Sequence, residues 1–467
     1  MNILNAVRHL SSIIADSALI EKAKILSSSF TRDRKIPLEK LLNYLIFREK
    51  NVLSQDLTQF FGAVNEFDIP SRQAMIKRMN LLNFNVWDEI LNRFRKEIYI
   101  NTNPSTVKDY IVIAFDGSFI NLPPHDVLRY CFGGYMTKKM KVKDIMTPQA
   151  KVSMAYDVIN KLILDFSIDE YIKSEIPMMF EHLEKLLPIL EGRKVIFLAD
   201  RYYGSAEFFK FCEMHGFKYI VRAKKNFFKK LIAENEEKKD FEIDIEFNKA
   251  WIKRIKQETV REAIKNDPYL KVRVINGTYT YIEKNKNSEK EITVGARYFT
   301  NLDQEFLSHE IIDIYHVDRW TIESAYDVLK NDLDIEQFNT HNPIGIRNEI
   351  MGKIMFYNIE RLMFMEAKDK VKVKEDVKYQ YIPNNKHLIN MLRTGAFIKG
   401  FIGGLKKKMY SKIIKAASAE KIPVRKDRHY KRWKKFCRSI PNNRHRIDGR
   451  RNPPVTITKV GLLTCSQ

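Results

Sequence analysis

The stretch Tyr110-Ile111-Val112-Ile113-Ala114-Phe115-Asp116-Gly117-Ser118 decides how this 467-residue chain is read. Six apolar residues in a row, β-branched or aromatic for the most part and closed by Asp-Gly-Ser, have the composition of a buried strand. The end of such a strand is a poor place for a carboxylate that merely solvates a surface. A second run, Lys194-Val195-Ile196-Phe197-Leu198-Ala199, has the same character and ends in Asp200. Either aspartate alone reads as a turn residue whose side-chain oxygens accept from following N–H groups. If the two strands share a sheet and a polarity, however, the two carboxylates converge within metal-bridging distance, and hard oxygen donors suit Mg²⁺ or Mn²⁺.

Working outward, a second strand follows at residues 119–122, and residues 151–156 and 162–168 bracket a turn containing Asp157, Asn160 and Lys161, an antiparallel pair. A helix over 176–190 precedes the Asp200 strand. Ser205 then caps a helix that Gly216 ends, and 217–222 supply one more strand. Strands with intervening helices predict an α/β layer. Between about 226 and 305 charged segments give way to a predicted hairpin, Val272-Arg273-Val274-Ile275 and Thr278-Tyr279-Thr280-Tyr281 joined by Asn276-Gly277. With a further strand at 291–299, this stretch reads as an all-β insertion.

The flanks differ from this centre. Residues 1–105 read as helices. Ser54 opens one of them, Ile69-Pro70-Ser71 opens another over 72–82 carrying Arg72, Lys77 and Arg78, and the two are compatible with a helix-turn-helix or with an ordinary helical pair. Residues 306–365 return to the central domain, and 366–467 form a basic helical region. Between Lys406 and Arg451, 18 Lys and Arg face only Glu420, Asp427 and Asp448, interleaved with Tyr410, Tyr430, Trp433 and Phe436, a pattern that favours a phosphate-facing role.

Composition bounds the function. With 44% hydrophobic residues, 17 Gly and 15 Pro, the chain has the material for real cores, which excludes disordered and collagen-like classes. A formal charge of +23 points to a polyanionic partner, nucleic acid first. Cys131, Cys212, Cys437 and Cys465 form no C-x-x-C pair, so neither a zinc site nor a dense disulfide framework is expected. The charged N-terminal segment and the lack of a long apolar run suggest neither export nor a membrane span, and a cytoplasmic location is expected.

A third candidate site lies in His316-Val317-Asp318-Arg319-Trp320-Thr321-Ile322-Glu323-Ser324-Ala325-Tyr326-Asp327-Val328-Leu329-Lys330. At 100° per residue Arg319, Glu323, Tyr326 or Asp327, and Lys330 share one stripe of a helix, with Ile322, Ala325, Leu329 and Leu333 on the adjoining one. An intrahelical Arg319–Glu323 pair accounts for part of this stripe by itself.

Taken together, Asp-Gly-Ser after a strand, Leu198-Ala199-Asp200-Arg201-Tyr202-Tyr203-Gly204, and above all Arg319-x3-Glu323-x6-Lys330 resemble the bacterial insertion-sequence transposases of the DDE class. The subgroup resembled carries a β-strand insertion between its second Asp and its Glu, and a Y-x2-R-x3-E-x6-K signature. The resemblance covers roughly residues 30–365. It includes Pro70-Ser71-Arg72-Gln73, Tyr156-Asp157 with Asn160, and Phe299-Thr300-Asn301-Leu302. One departure stands out: Tyr315 has three residues between itself and Arg319 instead of two, and His316 occupies the expected tyrosine position.

The resemblance implies a ribonuclease H-like catalytic domain of the α/β class, interrupted by the all-β insertion and flanked by the helical N-terminal and basic C-terminal regions. It implies that Asp116, Asp200 and Glu323 hold two Mg²⁺ ions, or Mn²⁺, for in-line displacement at phosphorus. It further implies that Arg319 and Lys330 contact flanking phosphates, with Arg201 and Tyr315 as further DNA-binding candidates. Expected partners are double-stranded DNA, as terminal inverted repeats and target, and a second copy of the chain in a DNA-bound homodimer, nucleoid-associated. Trp251 and Tyr279–Tyr281 are candidates for stacking on an extruded base, with core packing the stronger expectation. Two alternatives share these residues: a catalytically silent DNA-binding regulator, and a nuclease that cuts without joining.

Overall fold

The computed structural model describes residues 2–31, 35–49, 52–64, 68–137, 141–223, 227–235, 237–285, 288–373 and 379–424, without the side chains of 279–285, 288–294, 317, 318 and 320. Its centre is an eight-stranded mixed sheet in the order β3-β2-β1-β4-β5-β8-β7-β6. The strands are β1 (Ile111–Asn121), β2 (Gln149–Asp157), β3 (Leu162–Asp169), β4 (Val195–Ala199), β5 (Lys218–Arg222), β6 (Asp240–Glu246), β7 (Tyr269–Asn285) and β8 (Ser288–Thr300). A separate two-stranded ribbon pairs β9 (Gln380–Pro383) with β10 (Lys421–Val424).

The buried strand expected before Asp116 is present but longer. β1 runs through Asp116, Gly117 and Ser118 without a break, so the separate strand expected at 119–122 is the second half of the same element. Its partner explains this: β2 stays in antiparallel register along β1 from Ile113↔Asp157 to Asn121↔Gln149, leaving no place for a turn at Gly117. β1 and β4 are adjacent and parallel, with Ala114 opposite Leu198. β4 pairs in parallel with β5 in turn.

Two expectations for residues 226–305 are corrected. The Asn276-Gly277 pair makes no hairpin; β7 passes straight through it, with Asn276 opposite Arg297 and Gly277 opposite Ala296. Tertiary contacts override the local turn preference. The Asn276 N–H donates to the Lys239 carbonyl, its side-chain amide donates to the Lys238 carbonyl at 2.7 Å, and a Cβ on Gly277 would stand 2.5 Å from Ile312 Cδ1. Strand pairing with β8, rather than a turn, sets the backbone here. The actual connection lies between Asn285 and Ser288, which face each other in register. Nor is the insertion all-β. It carries helices Lys229–Ala233, Lys249–Ile252 and Glu258–Asn266, and its strands extend the central sheet through Arg222↔Tyr298.

Helices cover the sheet on both sides. The helix Glu175–Leu190 packs on β2, β3 and β1. It contributes His182, whose Nδ1 meets Asp165 Oδ2 at 2.6 Å and whose Nε2 meets Ser153 Oγ at 3.1 Å, while Arg95 Nη1 donates to Asp165 Oδ1 at 3.2 Å. Ser153, His182 and Asp165 are sealed from solvent, so this line of groups ties helices to β2 and β3 and offers no route to a substrate.

The N-terminal region is helical as expected. Ser71 caps Arg72–Met79 by accepting from Ala74 N at 3.2 Å, whereas Leu53–Ala63 begins after Val52 and is not capped by Ser54. Arg78 is spent internally, donating to the Ile36 carbonyl at 3.0 Å and lying 4.0 Å from the Phe30 ring, while Arg72 and Lys77 are exposed. The C-terminal region adds helices Asn385–Leu392, Gly395–Ile402 and Lys407–Ala419. Most of its expected basic run, from residue 425 onward, lies outside the described residues. Among those that are described, no helix is long and apolar enough to cross a membrane.

The long helix Pro343–Asp369 joins the regions, crossing Leu38–Phe47 at Gly352. A Cβ on Gly352 would meet the Leu45 carbonyl oxygen at 2.2 Å, backbone that cannot step aside. Gly352→Ala is therefore expected to lower stability by about 1–3 kcal/mol, the usual cost of overpacking, as read from urea unfolding midpoints at unchanged slope. An unchanged midpoint would show that the two helices separate freely.

Candidate active site

Asp116 and Asp200 reach the same part of the sheet because of one register. Each stands two residues beyond the paired Ala114 and Leu198 of adjacent parallel strands. Asp200 begins the turn after β4, where its Oδ1 accepts from Tyr202 N at 2.6 Å, the turn-capping role its position suggested. Asp116 is mid-strand and half-buried. Burial pushes its carboxyl up to about 7; Arg319 opposes the rise, while Asp200, Glu175 and Glu323 add to it by repulsion.

The predicted stripe lies along β1. Residues Arg319–Asp327 form the helix, and the next turn, Val328–Asp332, is π-helical. Tyr326 donates its hydroxyl to the Asp116 carbonyl at 3.0 Å, and Lys330 Nζ donates to Ser118 Oγ at 2.7 Å. Burial lowers the Lys330 ammonium from its ordinary value, against the pull of Glu336, Asp327 and Asp116. Arg319 Nη2 bonds Glu323 Oε1 at 2.6 Å. Burial works against the Arg319 charge, but Tyr315, Glu323, Asp116 and Asp200 outweigh it and hold the guanidinium more firmly protonated. Arg201 is exposed in the turn after Asp200.

Tyr315 is buried, and burial raises its phenol above the ordinary value; its hydroxyl has no hydrogen-bond partner among the described residues. Its ring centroid lies 5.9 Å from the Arg319 guanidinium carbon. The turn Ile314–Asp318 is π-helical and so holds one residue more than an α-turn. Tyr315 lies within this turn and Arg319 directly follows it.

Other motif residues tie the frame. Tyr156 meets the Tyr357 hydroxyl at 2.9 Å, Asn160 donates to Asp157 Oδ2 at 2.8 Å and to the Ser105 carbonyl at 3.0 Å, and Asn301 bonds Tyr219 N and the Phe217 carbonyl at 3.0 and 2.8 Å. Trp251 packs among Phe228 and Phe247, the core role expected of it, whereas the side chains of Tyr279–Tyr281 lie outside the described residues.

Two residues near the site were not singled out from the sequence. Arg222 ends β5 beside the Asp200 turn and acts electrostatically on Tyr315 and His316. Glu175, the first residue of its helix, touches Gly117 and bonds Lys151 and Tyr203. As a lone acid in a first helical turn it carries no sequence signal beyond that of a dipole-compensating residue.

The donor set of Asp116, Asp200 and Glu323 is all carboxylate and self-repelling, chemistry that a hard divalent cation would suit. As placed, Glu323 is turned into its ion pair with Arg319, and no group of three His, Cys, Asp or Glu among the described residues is arranged to hold an ion.

These features place two carboxylates side by side where two central parallel strands of a mixed α/β sheet cease to pair, with a cationic helix beside them. Residues 107–359 match the family described as "Transposase DDE domain", more than half of the chain, and the protein belongs to that family. Among solved structures it is similar to a piggyBac transposase synaptic complex with hairpin DNA, determined by cryo-EM, at 10% identity and a TM-score of 0.42 over 92% of this chain and 85% of that one. No match is found among curated proteins.

The raised Asp116 value carries a sign. An ordinary aspartate titrates near about 4, so between about pH 4 and 7 the folded chain binds more protons than the unfolded one. That contribution to stability therefore falls as pH rises through this window. Asp116→Asn removes it. In EDTA the variant is expected to be more stable than the parent at pH 7–8, with the advantage fading toward about pH 4. Urea unfolding across that range checks this, and an advantage independent of pH would exclude a strained carboxylate.

Proposed function

We propose that this transposase-family protein binds the ends of an insertion sequence, cleaves them by phosphodiester hydrolysis and joins the 3′-hydroxyl ends to target DNA. The supporting observation is the β1–β4 register, which sets Asp116 and Asp200 side by side on the continuation of two adjacent central strands, near the helix carrying Glu323, all inside the matched region. The sheet order β3-β2-β1-β4-β5, antiparallel at β2 and parallel at β4 and β5, also supports a ribonuclease H-like catalytic domain.

In this proposal Asp116, Asp200 and Glu323 are the ligands of two Mg²⁺ ions, or Mn²⁺. Such ions, when bound, supply activation of the attacking oxygen and neutralisation of charge on the leaving 3′-oxygen. Glu323 becomes available when an incoming phosphate draws Arg319 out of its 2.6 Å ion pair. Arg319 grips phosphate as a bidentate fork. Lys330 exchanges Ser118 for a phosphate oxygen as a point charge, and Arg201 meets backbone from its exposed turn. Tyr315 backs Arg319 from the protein side. Two DNA ends held together imply a homodimer, and the excess of +23 gives the salt-dependent attraction that DNA binding requires.

The test is a duplex carrying the inverted repeats that flank the gene. Asp200→Ala and Glu323→Gln are expected to bind it within about twofold of the parent while Mg²⁺-dependent nicking falls to background. Arg319→Ala is expected to weaken binding roughly tenfold, the order of one charge-assisted contact, with a shallower salt dependence. Normal nicking by Asp200→Ala overturns the site. A parent that nicks without strand transfer is a nuclease, and one that binds without nicking is a regulator.

A further inference from the structure

Glu175 joins three parts of the chain at one carboxylate. Its Oε1 accepts from Lys151 Nζ on β2, and its Oε2 accepts from the Tyr203 hydroxyl at 2.8 Å, in the turn that Asp200 opens. The same group lies against β1, where a Cβ on Gly117 would stand 2.4 Å from Glu175 Cδ and 2.6 Å from Oε1. Lys151 faces Phe119 across the β1–β2 register and rests 4.3 Å from its ring centroid, so the cation is held on both sides. The Lys151 and Glu175 side chains are only 11% and 19% exposed, and Tyr203 is buried. An ion pair this sheltered, with a phenol closing its other oxygen, is a rigid link rather than a solvated surface pair.

The link spans the strand that carries Asp116 and the turn that Asp200 opens. Successive β1 residues point to opposite faces, so Gly117 opens toward Glu175 while Asp116 and Ser118 open toward Lys330 and the helix that carries Glu323. Glu175 is therefore behind the strand, with both oxygens engaged, and is not itself a ligand of the carboxylate site.

We propose that Glu175 is a positioning residue: through Lys151, Tyr203 and its seat on Gly117 it fixes the Asp200 turn relative to the Asp116 strand, and so sets the affinity of that pair for a divalent cation. This rests on the reading of Asp116 and Asp200 as cation ligands. Residues that orient a ligand set from behind typically change metal affinity by about 10–100-fold when removed. The glycine of Asp-Gly-Ser follows from the same geometry, because any side chain there displaces Glu175.

The experiment is Mn²⁺ binding to the full chain without DNA, by titration calorimetry, with thermal unfolding recorded for every variant. Glu175→Gln and Tyr203→Phe are each expected to raise the Mn²⁺ dissociation constant about tenfold or more. Tyr203→Phe keeps the Glu175 charge, so weakening there reports position and not a lost negative field. Gly117→Ala is expected to weaken binding like Glu175→Gln, yet to add nothing in a Glu175→Ala background, where the obstructing carboxylate is gone. If the parent binds Mn²⁺ and Asp200→Ala does not, while folded Tyr203→Phe binds as the parent does, the positioning role is overturned and the metal site stands. If the parent binds no better than Asp200→Ala, both fall. Should Glu175→Gln not fold, Tyr203→Phe alone decides.

Discussion

The parallel pairing of β1 with β4 is the constraint on which the rest depends. β4 and the first half of β1 are buried, which is why they read as unbroken apolar runs rather than as alternating patterns. That burial makes their register costly to change: a slip of one residue would turn every side chain of β1 to the other face. Asp116 would then point into the Glu175 side, and Gly117 would face Ser118's present partners. The apolar halves of the strands thus fix the placement of the polar residues beyond them, and the site inherits its geometry from the core.

How much of this was legible follows from what each signal depends on. Strand β4, the β2–β3 pair and the Ser205–Gly216 helix were readable because composition, caps and burial agree locally. The strand through Asp116-Gly117-Ser118 was cut short in the sequence because Asp-Gly is a turn pair on its own; nine paired positions with β2 override that preference. Asn276-Gly277 misled for the same reason, its residues being paired with Arg297 and Ala296 of β8. Long-range pairing is invisible to a local signal, and both errors fall where a neighbouring strand overrides a local turn pair.

The site divides along the same line. Asp116 and Asp200 were noticed because each closes an apolar run, whereas Glu323, Arg319 and Lys330 were singled out by the resemblance to a known signature, since their shared helical stripe alone reads as intrahelical pairing. Glu175 was not: following Ser174 at a helix start, it looks like any first-turn acid. What makes it particular is Lys151, Tyr203 and Gly117, none adjacent to it in sequence. Arg222 was passed over for a related reason, since an arginine at a strand end gains meaning only from the neighbour that β4 supplies.

The helix that carries Glu323 is not a regular α-helix throughout. In a regular α-helix residues four apart, as Tyr315 and Arg319 are, lie on one face. A π-helical turn closes over five residues instead of four, and Ile314–Asp318 is such a turn. Downstream of it Tyr326 and Lys330 meet β1, while Glu323 is held by Arg319. A second π-helical turn at Val328–Asp332 carries Lys330 itself, so both cations of the stripe adjoin widened turns. Such turns are common at functional sites because they re-aim a side chain without breaking the helix that anchors it. Here that freedom is spent on Tyr315 and Lys330, while the apolar stripe of Ile322, Ala325 and Leu329 stays buried and in register.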